Sequence, residues 1–570
     1  MAENQTVLDA FLQPLSVDID RLQRLAHQFA TTYRYLALNS NDQFLPTPIT
    51  TLPSGQERGR FLAIDLGGTN LRVGFIELLG DIADSESRDV VTSIPNGVPT
   101  SRDKTNSFDQ PRIRRTFEKA WPIGEHLKMD KAEDLFAWIG DCIAEVVSDS
   151  VRASRREESE DEVIPEELLM GVTFSFPMIQ HSLSEATLMP MGKGFAITSN
   201  LNLGKLLLAG YERHITSSSN GVSPDAHLDK PAKRRKIERL PRLKIAAITN
   251  DTVATLASLA YTVKSRPNSR VAMGLIVGTG TNATIPMKLA DLHPSKQSQL
   301  RLSQAGDLKD VEIVVNTEWT INGTAPPLKK LGFITKWDKV LDEASEAPGF
   351  QPFEYMTAGR YLGELARLIT LDFITGKLGA QEGDLPVALR RRNALTTTFL
   401  ATVVAPSGSS VLLLPQLRKL LPAPEHSDWQ WGTEEAEVLL KVARLVQKRS
   451  AGLIAAAIIG LLGCTGELEL NDEHSPDSSV PNGTISHVTD NELSPQGDIE
   501  DLVVAFTGGT ISRYPEFLRT CQGFIDELLS KEANRGASEN NRNRTKSVVL
   551  KEAVDGGIIG AGVLAGTACA

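Results

Sequence analysis

The 570-residue chain is 41% hydrophobic and 23% charged, a balance that excludes disordered, fibrous and repeat proteins, and it is too long for one core, so two or more lobes are expected. A formal net charge of −11 argues against general nucleic-acid binding, because neutralising phosphates needs a basic face. Four scattered cysteines, with no CxxC pair and no clustered histidines, argue against zinc and a disulfide framework and point to a reducing compartment.

In chain order, the acidic start "MAENQTVLDAFLQPLSVDID" lacks the basic end and apolar centre of a secretory leader. Apolar residues recur at helical spacing from Asp18 to Tyr35, and "LPTPITTLPSGQERG" breaks that pattern before a strand, giving a first segment at 1–50. The segment 51–213 alternates strands with helices, "KAEDLFAWIGDCIAEVVSD" being an amphipathic helix and "LLMGVTFSFP" a strand. A polar, basic loop is expected over 214–240, and a second body over 241–570, opened by the strands "LKIAAITND" and "RVAMGLIVGTGTNA". The remainder is mostly helical. "AGLIAAAIIGLLGC" and "GGIIGAGVLAGTACA" run about fifteen residues where a membrane span needs about twenty, so they read as buried packing helices. An acidic, Ser/Pro-rich stretch at about 466–500 reads as a disordered insertion.

The chemistry gathers where strands end, the place at which α/β sheets bind ligands. "FLAIDLGGTNLRV" ends a strand on Asp65 and turns through Gly67, Gly68 and Thr69, whose backbone N–H groups suit a phosphate; Asp65 would hold Mg²⁺ directly or through water, and Arg72 would neutralise a transferring phosphoryl group. Taken alone, the same string also reads as an ordinary strand and turn. "VGTGTNAT", from Val277 to Thr284, offers a second half of a phosphate clamp, and "FTGGTISRYP", from Phe506 to Pro515, a third glycine-rich contact. Asp251, after Asn250 at the end of a strand, is placed to accept a proton from a substrate hydroxyl, or to cap the helix that begins "TVATL". Asn282, Glu318 and Glu354 suit a polyhydroxyl ligand, although each alone also reads as a surface or capping residue.

In this order, over about Pro46 to Ala565, the blocks "LPTPITTLPSGQERGRFLAIDLGGTNLRV", "GVTFSFPMIQHSLSEATL", "NDTVATL", "GLIVGTGTNA", "VNTEW" and "PGFQPFEYMTAGRYLGEL" resemble those of the eukaryotic hexokinase family. The resemblance implies an α/β, actin-like ATPase fold with two lobes, small (51–213) and large (241–570), closing on hexose and MgATP. It implies a catalytic set of Asp251 as base with Lys193 and Arg72. Sugar contacts would come from Ser175, Gly192, Lys193, Asn250, Asp251, Asn282, Glu318 and Glu354. MgATP would fall on Asp65, Gly67, Gly68, Thr69, Asn70, Arg72, Gly278, Thr279, Gly280, Arg360, Thr397, Gly508 and Gly509, with Asp65 toward the metal.

The chain departs from the pattern in several places. "MGKGF" puts Gly192 where the family has a threonine, the loss of a hydroxyl contact that typically costs about 1–3 kcal/mol. Ala254 replaces a glycine, Ala401 a serine, "FTGGT" stands for Val-Asp-Gly-Ser-Val, and "VDGGIIGAG" for Asp-Gly-Ser-Gly-x-Gly-Ala. Weakened ATP affinity is expected. Erosion with Asp251 and Lys193 kept is similar to the hexokinase-like regulatory proteins of filamentous fungi. In "KPAKRRKIERL", Lys233, Arg234, Arg235 and Lys236 form a run that a nuclear import receptor reads, or a solvated charge run. The expectation is a weak or silent hexokinase in nucleus and/or cytoplasm, regulating carbon-starvation responses such as secreted protease production with transcriptional partners, and contacting neither nucleic acid nor membrane. The alternative is an active ATP-dependent hexose 6-phosphotransferase.

Overall fold

The computed structural model describes residues 2–80, 112–124, 126–127, 132–156, 165–189, 201–216, 240–263, 269–301, 310–470, 501–535 and 546–569. The chain divides into two compact units, a smaller one of Thr51–Lys264 with Asp555–Ala570 and a larger one of Met1–Thr50 with Ser265–Val554. The boundary expected at 241 therefore falls later, and the last sixteen residues return to the smaller unit. The basic run at 233–236 and residues 471–500 of the acidic insertion lie outside the described residues.

The smaller unit is built on β1 (Arg58–Leu66), β2 (Asn70–Leu79), β3 (Ile113–Pro122), β4 (Glu167–Phe174) and β7 (Arg242–Thr249), with a separate hairpin of β5 (Met178–Ser182) and β6 (Glu185–Leu188). Its sheet runs β3-β2-β1-β4-β7: the first three strands are an antiparallel meander, and β4 and β7 lie parallel to β1. Phe61 to Ile64 of β1 are all buried, as befits a strand covered on both faces. One face carries the helix Ala132–Arg156, whose Leu135, Ile139 and Val146 join Leu62, Ile64 and Phe75 in one core. The C-terminal helix Gly556–Thr567 packs on β1, β4 and the helix Asp251–Thr262. It approaches closely because Gly560 has no side chain; a Cβ there would lie 2.1 Å from the Ala254 carbonyl oxygen.

The larger unit contains β8 (Ser269–Val277), β9 (Thr281–Lys288), β10 (Glu312–Asn316), β11 (Asp501–Thr507) and β12 (Ser547–Glu552), ordered β10-β9-β8-β11-β12, with the short strand Leu45–Pro46 outside β10. Again the first three are antiparallel and the last two parallel to β8. The segment "AGLIAAAIIGLLGC" belongs to the helix Thr433–Cys464, a 32-residue helix in which "EAEVLLKVARLVQKRS" runs on into the apolar stretch. By length and composition it could cross a membrane; here its apolar half is buried inside the unit. The helix Ile19–Asn39, capped by Asp18, lies against it. That helix's Phe29 and Tyr33 join an aromatic cluster with Trp319 and Phe353, at centroid distances of 5.3 to 6.4 Å.

Candidate active-site clusters of each unit

In the smaller unit the carboxyl ends of β1 and β7 and the start of the last helix bring acidic groups together. Asp65 pairs in register with Arg72 across the Gly67–Asn70 turn. Burial, aided by Asp251, Asp555 and Glu118 and opposed by Arg72, pushes its carboxyl up to about 7. This surplus of negative charge on oxygen donors fits a divalent cation such as Mg²⁺, which is held by one or two carboxylates together with substrate phosphates. Among the described residues no cluster of three or more metal-ligating side chains forms, so a cation here would depend on the phosphate as well.

Arg72 is engaged within the protein. Its Nη1 donates to Asp555 Oδ1 at 2.6 Å, and Arg115 donates to the other oxygen. Burial alone would raise the Asp555 carboxyl, but the hydrogen bonds from Arg115 and Arg72 outweigh it and hold it below the usual carboxylate range. Asp555 sits in the left-handed region (φ 53°) immediately before the last helix. Two residues on, a Cβ at Gly557 would meet Asp65 Oδ2 at 2.4 Å, and the Gly557 carbonyl accepts from Thr173 Oγ1 at 2.8 Å. Asp555, Arg115 and Gly557 carried no role in the sequence reading. The signal was the departure at "VDGG", which marked the position without its partner.

The turn itself offers less than expected. The Gly67 N–H donates to the Asn70 carbonyl at 3.0 Å, so of the amides assigned to a phosphate this one is taken by the turn. Thr69 and Asn70 are exposed, and the Asn70 side-chain amide donates to Thr69 Oγ1. Asn250, not Asp251, is the N-cap of the helix Asp251–Thr262: its Oδ1 accepts from the Thr252 N–H at 3.0 Å and the Thr252 hydroxyl at 2.7 Å. Asp251 is thereby the first helical residue, its Oδ1 at 2.9 Å from the Thr252 N–H. Ser175 follows β4, its N–H donating to the Leu66 carbonyl. Gly192 and Lys193 lie outside the described residues.

The larger unit holds a polar cluster of its own. Asn282 Nδ2 donates to Asn316 Oδ1 (2.8 Å) and Glu318 Oε1 (3.1 Å), and Asn316 Nδ2 donates to the same Glu318 oxygen (2.9 Å). Glu318 adopts φ 45°, and the Gln43 side-chain amide donates to its carbonyl, an over-determined strained position of the kind found at binding sites. Glu354 is buried and accepts from the Thr320 hydroxyl at 3.1 Å. The aromatic neighbours Trp319 and Phe353 fix both carboxylate-bearing segments to one core. Asn316 and Thr320, within the "VNTEW" block and beside it, carried no role in the sequence reading, since neither has a local signal that sets it apart from an ordinary strand or turn residue.

The glycine turns of this unit form a second knot. Gly278 donates its N–H to Gly280, while its carbonyl accepts from the Gly359 N–H (2.8 Å) and the Thr510 hydroxyl (2.9 Å). The Arg360 N–H donates to the Thr279 carbonyl at 3.2 Å. Gly508 takes φ 126°, and a Cβ there would lie 2.4 Å from the Val277 carbonyl oxygen. Gly509 starts the next helix. Thr397 is placed against the first turns of the helix Gly359–Gly376, its hydroxyl accepting from the Gly363 N–H at 2.8 Å. Arg360 itself pairs with Glu346 at 2.6 Å.

Family models described as hexokinase match residues 7–261 and 272–567. Hexokinase-7 of Oryza sativa subsp. japonica is 27% identical over 528 residues, covering 91% of this chain and 86% of that protein. Hexokinase-1 of Arabidopsis thaliana is 27% identical over 568 residues, 98% of this chain and 90% of that one. Among solved structures, the hexokinase from Schistosoma mansoni complexed with glucose has a TM-score of 0.66 at 23% identity, covering 99% of this chain and 98% of its own. The fold is thus the two-unit actin-like ATPase fold of those hexokinases.

Proposed function

Because the chain belongs to the hexokinase family, we propose that it binds hexose and MgATP but transfers the phosphoryl group far more slowly than an ordinary enzyme, serving as a regulator of carbon status. The observation that carries this reading is the packing of Asp65 against Gly557. The family pattern has serine at that position, and here its Cβ would lie 2.4 Å from the carboxylate meant for the metal. Arg72, the candidate for neutralising the phosphoryl group, is meanwhile held by Asp555. Phosphoryl transfer rests on positioning and electrostatics, so small displacements of these two groups are costly.

MgATP, when bound, supplies the phosphoryl group. Asp251 accepts the hydroxyl proton of the sugar, Asn282, Glu318 and Glu354 hold its other hydroxyls with Lys193 as a further sugar contact, and Arg360 belongs to the MgATP set. The regulated process is the carbon-starvation response, including secreted protease production. Lys233 to Lys236, four consecutive basic residues in a chain of net charge −11, serve a nuclear import receptor.

A second reading, an active hexokinase, is favoured by the intact Asn250 cap beneath Asp251 and the closed Asn282–Asn316–Glu318 network. A coupled assay of glucose-dependent ATP turnover separates the two. The regulator reading expects a rate far below the ~1–1000 s⁻¹ of ordinary enzymes, with calorimetric glucose binding that Asp251→Ala weakens. An ordinary rate that Asp251→Ala abolishes gives the function to the second reading.

A further inference from the structure

The larger unit encloses a cavity of about 290 Å³ between the helix Lys336–Glu343, the turn that follows it, the helix Gly359–Gly376 and residues 392–393. That volume is at the lower end of small-molecule pockets. Its floor is a saturated ion pair. Arg367 donates to both oxygens of Glu364 (2.8 and 2.6 Å) and to the Leu389 carbonyl, and the Asn393 N–H donates to Glu364 Oε2 (2.6 Å). Both side chains are less than a tenth exposed, so this pair is neutral overall and structural.

Above the floor two guanidinium groups remain for a ligand. Arg360 pairs with Glu346, whose side chain is 65% exposed, and lies 5.7 Å from the centroid of the Tyr361 ring; such exposed ion pairs are weak. Arg392 is exposed and makes no hydrogen bond or ion pair among the described residues. The lining also includes apolar groups: Val340, Leu341, Leu368 and the Tyr361 ring. A cationic end and an apolar side, over a floor that needs nothing more, suit a small anion with an apolar body.

We propose that this cavity binds a small organic phosphate or carboxylate carrying an apolar ring or chain, held by Arg392 and Arg360. Occupancy is coupled to the Gly278–Gly280 turn, since the Arg360 N–H holds the Thr279 carbonyl and binding would draw its side chain away from Glu346. The Tyr361 ring also sits edge-on to Tyr355, the neighbour of Glu354, at 4.9 Å. The coupling rests on the MgATP reading of the Gly278–Gly280 turn; the binding does not.

Calorimetry on the full chain tests it with phenyl phosphate as probe, inorganic phosphate and phenol as its two halves, and benzoate as the carboxylate arm. Saturable binding of phenyl phosphate or benzoate, at least about tenfold tighter than either half, is expected. Arg392→Ala removes the free cation and Val340→Trp fills the lip, and each should weaken binding by about tenfold or more while leaving the thermal midpoint and glucose binding unchanged. No saturable binding, or binding that survives both variants, overturns the pocket. ATP affinity that falls when the probe is present supports the coupling, and by reciprocity probe affinity falls equally with ATP. Unchanged ATP affinity with the probe bound overturns the coupling alone. A chain that binds the probe and no ATP overturns the MgATP reading and leaves the pocket standing.

Discussion

The two units share a sheet order, three antiparallel strands followed by two parallel ones, yet the first turn of each sheet is furnished differently. In the smaller unit the turn lies between β1 and β2, and the register pair beneath it is Asp65 with Arg72. In the larger unit it lies between β8 and β9, and the corresponding pair is Ile276 with Asn282. One frame thus presents charge and the other a neutral amide that joins Asn316 and Glu318. The turns also differ in how firmly they are held. The Gly278 carbonyl is held by Gly359 and Thr510, and at the adjoining Gly508 an added Cβ would lie 2.4 Å from the Val277 carbonyl oxygen, whereas at Gly67 it would find its nearest neighbour at 3.5 Å. The same backbone frame therefore supports a charged turn at Asp65 and Arg72 and a neutral turn beside the Asn282–Asn316–Glu318 network. Function in this fold is written at the ends of the strands and not in their order.

The largest effect should come from breaking the pinned turn. Gly508→Ala forces a side chain onto a backbone at φ 126° and onto the Val277 carbonyl, which should destabilise the larger unit by about 3 kcal/mol or more. Gly67→Ala, on the open turn, should cost less than about 1 kcal/mol. Urea unfolding of both variants measures the contrast; equal losses would show that the two turns are held alike.

Next in size is the amide network. Asn282→Leu keeps the volume but leaves Asn316 and Glu318 without their shared donor, at about 1–3 kcal/mol. It should also abolish calorimetric glucose binding. Asn70→Ala, on the exposed rim of the other turn, should change neither. Glucose binding that survives Asn282→Leu would remove this network from the sugar site.

Much of this contrast was legible in the sequence. The strand-turn strings around Asp65 and Gly278 announced themselves because glycines and hydroxyls interrupt apolar runs, and both lie where strands end. What stayed hidden depends on residues far apart in the chain. Asp555 meets Arg72 across 483 positions and Gly557 meets Asp65, and neither string contains its partner. The return of Asp555–Ala570 to the smaller unit was illegible for the same reason: a Gly/Ala-rich helix signals close packing without saying against what. The identity of the cap was a local error, since Asn250 and Asp251 are both good capping residues and only backbone geometry separates them.

The smallest expected effect concerns the charge on the open turn. In the folded protein the Asp65 carboxyl is raised to about 7, while in the unfolded chain it returns to the ordinary 3.8. Between these values the folded state binds the extra proton, so this group's contribution favours folding at low pH and is lost as pH rises toward 7. Above 7 the folded protein carries a charge that burial, Asp251, Asp555 and Glu118 oppose more strongly than Arg72 supports it. Asp65→Asn removes that charge without changing the size of the side chain. At pH 8 the variant should melt higher than the parent, by roughly 2–4 °C if the relief is near 1 kcal/mol, and at pH 4.5 the gain should shrink toward zero. Ile276→Val, at the matching place in the other sheet, should give a small loss that is the same at both pH values, since nothing there titrates. A gain for Asp65→Asn that is equal at pH 4.5 and pH 8, or a loss at pH 8, would mean that Asp65 is not held against its charge. The distinction between a charged turn and a neutral one would then rest on the register pairs alone.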